Sequence, residues 1–194
     1  MKSFLKWGSA LAVLFLLAGT VMASDALATG KIKGINADKS EFVLTDSAGK
    51  DVTFTLGDMV VVNRGGKESK SELKAGDPVK VSYDKGLTTQ TAKYILVQEG
   101  DSKKWDLAQG KFKSHDADKK EIICTDAQGK DCTYAMGDAK VRMCKMEDAK
   151  AGIKKETKAA KVEDIKIGDH VLCITLPAEG DKTTLHALMF ERAK

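Results

Sequence analysis

The sequence predicts a mainly β protein made of two tandem five-stranded barrels. Three observations predict it. The chain repeats itself: Leu27–Asp58 aligns without a gap on Leu107–Asp138, and 17 of the 32 pairs are identical. Each copy alternates apolar and polar residues in short runs, separated by turns that carry Gly and Asp. A second matched block follows, in which LKAGDPVKV (Leu73–Val81) answers IKIGDHVLC (Ile165–Cys173). The offset between copies is 80 in the first block and 92 in the second, so the second copy has gained 12 residues between them.

Taken in order, residues 1–23 are expected to be a signal peptide. Lys2 and Lys6 precede an apolar run, and small residues end it at Val21-Met22-Ala23. The run is shorter than the ~20 residues a membrane span needs, and no other long apolar run exists, so no span is expected after its removal. The expected domains are residues 24–98 and 107–194, joined by the polar linker 99–106. In the first, GKIKGIN (Gly30–Asn36) reads as a strand. EFVLT and DVTFTL form a hairpin around DSAGK, with Phe42, Leu44, Val52, Phe54 and Leu56 on one face by the two-residue period. PVKVSY, entered by the KAGD turn, and TAKYILV complete five strands. Between strands three and four the first copy has the turn-like NRGGKESKS. The second has EDAKAGIKKETKAAKVED (Glu147–Asp164), whose Ala, Lys and Glu predict a helix-capable insert. Three strands, an insert and two strands is the order of an OB-like barrel, with an SH3-like barrel the alternative.

The shared pattern G-x-I-x-x-I…D…G…V-T…L-K-x-G-D-x-V-x-V resembles small exported bacterial barrel domains. It is similar to periplasmic copper-chaperone barrels of the CusF kind. That resemblance implies a fold more than an activity. Those chaperones hold Cu(I) with a His, two Met and a Trp on the second and third strands. Copy one offers no His and only Met59, and copy two has Met136 but no Trp in its hairpin. The metal ligands therefore do not carry over.

The copies differ in sulfur. Cys124, Cys132, Cys144 and Cys173 all lie in the second, as do His115, His170 and His186. An even cysteine count in an exported chain points to disulfides. The hairpin centred near Gln128 sets Cys124 opposite Cys132, where copy one has Leu44 and Val52. Facing residues in an antiparallel pair lie within disulfide range. Cys144 with Cys173 is the remaining pair. The alternatives are a soft-metal site, with Met143, Cys144 and Met146 of RMCKM offering thiolate and thioether to copper, and free buried thiols.

No catalytic motif occurs: no G-x-S-x-G, no H-E-x-x-H, no phosphate loop. The formal charge of +4 falls to 30 − 28 = +2 once Lys2 and Lys6 are removed, and it is mixed in sign. That balance, with Trp105 as the one Trp after residue 23, argues against a nucleic-acid partner. The expectation is a non-enzymatic binding or scaffolding protein of the bacterial cell envelope, periplasmic or secreted, without a cofactor. Its partner would be an envelope protein or a small ligand. The alternative is a periplasmic protein binding copper or another soft metal.

Overall fold

A computed structural model describes residues 24–69, 73–145, 156–178, 180 and 182–192. The protein is mainly β, with thirteen strands among the described residues in two similar sheets, one per repeat. The expected signal peptide lies outside these residues.

In repeat one, β1 (Ser24–Asn36) pairs with β2 (Glu41–Asp46), and β2 with β3 (Asp51–Arg64). The strand β4 (Lys67–Ser69) flanks the end of β3. β5 (Pro78–Lys85) joins β1 to β6 (Gln90–Val97), and β6 runs parallel to β3. The pairings therefore run β1–β2–β3–β6–β5 and return to β1. Repeat two follows the same course through β7 (Asp106–Asp116), β8 (Glu121–Thr125), β9 (Asp131–Ala135), β12 (His170–Thr175) and β13 (Thr183–Glu191). Here the long third strand is broken at Gly137, and its second half is β10 (Lys140–Lys145), parallel to β13. Repeat one bends at the same place, where the β3–β6 register shifts between Leu56 and Val61.

The duplication preserves its turn chemistry. Asp46 accepts the backbone N–H groups of Ala48 and Lys50, both at 2.9 Å, and Asp126 accepts those of Gln128 and Lys130 at 2.9 Å. In each K-x-G-D turn the glycine is left-handed, Gly76 at φ 91° and Gly168 at φ 90°. The following buried carboxylate is held by an arginine: Asp77 by Arg64, and Asp169 by Arg192 at 2.6 Å. Lys33 and Lys113 stand at matching register shifts in the first strands and pair with Asp51 and Asp131. Those lysines, helped by the Thr45 and Thr125 hydroxyls, hold the two exposed carboxylates below their ordinary value.

Gly30 and Gly110 sit where the first strand crosses closest to the second. A Cβ on Gly30 would lie 2.2 Å from the Thr45 carbonyl oxygen, and one on Gly110 would lie 2.6 Å from that of Thr125. Backbone cannot yield as a side chain can. Gly30→Ala and Gly110→Ala should each cost about 1–3 kcal/mol, read as a lowered urea midpoint at unchanged m value.

One expectation is corrected. The insert does not form a helix over its described part: Glu156–Ala159 is the strand β11, paired with β10, and Val162–Asp164 is one 3-10 turn. Helix propensity amounts to tenths of a kcal/mol per residue and yields to an open strand edge. Residues 147–155 lie outside the described part. The linker, polar by composition, is packed: Gly100–Lys104 is a 3-10 turn, and Ser102 and Trp105 are buried.

Each repeat has its own core. Phe42, Leu44, Phe54, Val79, Val81 and Ile95 fill the first, with Phe42 stacked on Phe54 at 5.2 Å. Phe112, Ile122, Cys124, Cys173, Leu188 and Phe190 fill the second. A third cluster joins them: Tyr94 and Leu96 of β6 meet Trp105, Leu107, Ile174, Ala187 and Met189. β6 and β13 are thus buried on both faces, alternate residues serving a repeat's own core and the junction.

Candidate functional site: three converging thiols in repeat two

β8 and β9 place Cys124 and Cys132 face to face, as β2 and β3 place Leu44 and Val52. Cys173 on β12 takes the place of Val81 on β5. It lies with Cys124 in the buried core of repeat two. Three neighbouring hydrocarbon side chains of repeat one are therefore three neighbouring thiols in repeat two. Cys124 is 3% exposed and Cys173 1%. Cys132 is only partly buried, and its thiol lies 3.9 Å from both Asp126 Oδ2 and the Lys130 carbonyl oxygen. The neighbouring Cys124 thiol, reinforced by burial, pushes Cys173 well above the ordinary thiol range. Burial, and then the neighbouring cysteines, push the Tyr134 hydroxyl up.

Cys124, Cys132, Cys144 and Cys173 form no disulfide with one another. The expected facing of Cys124 and Cys132 is present, without a bond between them. The pairing of Cys144 with Cys173 is corrected. Cys144 is level with Glu191 on one side of β13, and Cys173 is level with Leu188 on the other. Those positions are three residues apart, so the two thiols lie on opposite faces, two strand spacings apart. Met143 and Cys144 are adjacent on β10 and also diverge, Met143 into the second core and Cys144 toward the junction. Met146 lies outside the described residues. Among the described residues no three His, Cys, Asp or Glu are placed to hold a metal ion.

A second polar group, at the junction, was not read from the sequence. Asn63 Nδ2 donates to the Tyr94 hydroxyl at 3.0 Å, and that hydroxyl donates to Glu68 Oε1 at 3.1 Å. Arg142 of repeat two pairs with Glu68 Oε2, which receives no aligned hydrogen bond and is held by charge alone. Burial, with Glu68 alongside, pushes the Tyr94 hydroxyl far up, so it stays a donor. His186 lies against Trp105, ring centres 4.1 Å apart. Lys80–Asp106 at 2.6 Å, Lys93–Glu191 at 3.0 Å and Gln109–Ser82 at 2.6 Å add further bridges between repeats.

Burial, and after it the charges of Lys140 and Arg142, hold His186 below its ordinary value of 6.5, with Glu68 opposing. A depressed histidine binds fewer protons folded than unfolded. Its contribution to stability is complete above pH 6.5 and is lost as pH falls through the lower folded value. Urea stability should therefore drop more steeply as pH falls below 6.5 in the native chain than in His186→Gln.

No known protein family matches the chain, and no curated protein matches it. Four solved chains match. Apo-CusF residues 6–88 from Escherichia coli is similar at 19% identity, covering 43% of this chain and 98% of that one, with a TM-score of 0.33. CusF-Ag(I) residues 10–88 from Escherichia coli is similar at 20% identity, covering 41% and 98%, TM-score 0.33. An Ag(I)CusF crystal structure is similar at 21% identity, covering 38% and 97%, TM-score 0.31. Each likeness spans one repeat-sized part and says nothing of a ligand. No helix among the described residues is long and apolar enough to cross a membrane.

Proposed function

We propose that the chain is an exported, non-enzymatic binding protein of the bacterial envelope. In this reading repeat one is the structural partner and repeat two the chemically active half. One observation carries it: repeat two replaces Leu44, Val52 and Val81 with three thiols, two facing across the hairpin and two sharing the core, and repeat one has no cysteine. Packing alone would be met by the hydrocarbon that repeat one already uses. The export half rests on the layout of residues 1–23. Fractionation and N-terminal sequencing test it: the mature chain should begin at Ser24 in the envelope or medium, and Met1 on exported material would overturn it.

A second reading takes two of these thiols, Cys124 and Cys173, as a soft-metal site. Cys124 and Cys173 share the second core, and thiolates select soft cations such as Cu(I). Titration with Cu(I) should raise thiolate-to-metal absorbance in the native chain and not in Cys124→Leu/Cys173→Val. Equal absorbance in both would place the metal elsewhere.

A further inference from the structure

Cys124 is the cysteine that neighbours both of the others. It faces Cys132 across the hairpin and shares the buried second core with Cys173 of β12. The three are graded in access, with Cys132 partly exposed and Cys124 and Cys173 buried. We propose that Cys124 is a shared disulfide partner, so repeat two carries one core disulfide at a time, entered through Cys132 and passed inward to Cys173. This goes beyond the proposed function and stands whatever the protein binds.

The chemistry balances with a small-molecule disulfide as oxidant. The Cys132 thiolate attacks one sulfur of the oxidant; its S–S bond breaks, a mixed disulfide forms, and the first thiol leaves. The Cys124 thiolate then attacks the Cys132 sulfur and expels the second thiol. The two protons lost by Cys132 and Cys124 end on the two released thiols. Two protein thiols are oxidised and one external disulfide is reduced. In the transfer step the Cys173 thiolate attacks the Cys124 sulfur and expels the Cys132 thiolate, which takes the proton Cys173 gave up. That step is redox-neutral. Cys173 holds its proton tightly, so the outer bond forms first and the inner one slowly. Cys144 takes no part, since it faces the junction.

Repeat one supplies the test substitutions, because its core folds around Leu44, Val52 and Val81. The full chain and Cys124→Leu, Cys132→Val and Cys173→Val would be incubated with oxidised glutathione and quenched with an alkylating agent. Peptides would be mapped without reduction, with circular dichroism confirming each fold. In the native chain every link within the trio should contain Cys124, with Cys124–Cys132 early and Cys124–Cys173 later. Cys173→Val should stop at Cys124–Cys132. Cys132→Val should still reach Cys124–Cys173, but about tenfold more slowly or worse for want of an accessible entry thiol. Cys124→Leu should form no link in the trio. A Cys132–Cys173 bond, a link to Cys144, or three alkylated thiols after oxidation of the native chain would overturn the proposal, and the native-chain map decides even where a variant unfolds.

Discussion

Trp105→Ala should cost about 3–5 kcal/mol, the range for removing a buried tryptophan, although the residue lies in a segment that is polar by composition. Trp105 is 8% exposed, lies against His186, and packs with Leu96, Leu107 and Met189 in the cluster joining the repeats. It also approaches Gly66, where any Cβ would come within 3.1 Å of the indole ring. The loss should be seen by circular dichroism in urea, since the substitution removes the one fluorophore of its kind beyond residue 23. The single transition of the native chain should split in two as the repeats uncouple. Trp105→Phe should recover most of the loss. A cost below about 1 kcal/mol, a value ordinary for an exposed site, would mean that the third cluster does not bind the repeats together.

Oxidation should stabilise repeat two by about 2–3 kcal/mol, the chain-entropy gain from closing a loop as short as Cys124 to Cys132. Repeat one carries no cysteine, so its own amides should be indifferent to reductant except where β6 meets the junction. Hydrogen exchange with and without reductant resolves the two halves. Protection should fall in β8, β9 and β12 on reduction and stay level in β2 and β5. Equal loss in both sheets, or none in either, would contradict it.

Much of this was legible. The repeat located ten of the strands and placed Cys124 opposite Cys132, because register follows from a fixed turn and a two-residue period. The shifted block already set Cys173 against Val81. Its proximity to Cys124 was not legible, since it depends on how the strands wrap, not on their order. Pairing Cys173 with Cys144 by elimination failed on strand parity, which needs the β10–β13 register. The junction left a trace that went unread: YILV in β6 and ALMF in β13 are apolar at every position, the pattern of a strand buried on both faces. In the linker, average polarity hid one aromatic that matters more than its neighbours. Arg142 was legible only as part of RMCKM; its role follows from Glu68, which is distant in sequence and adjacent in space.

The claim that the sulfur of repeat two is working chemistry and not packing is met most directly by the intact mass of the exported chain, purified without reductant or chelator. The account predicts a mass two protons below the all-thiol value, with Cys124 protected from alkylation, or a bound soft metal that is lost together with Cys124 and Cys173. An all-thiol, metal-free mass that neither oxidised glutathione nor Cu(I) changes would contradict it and leave the three cysteines as substitutes for Leu44, Val52 and Val81.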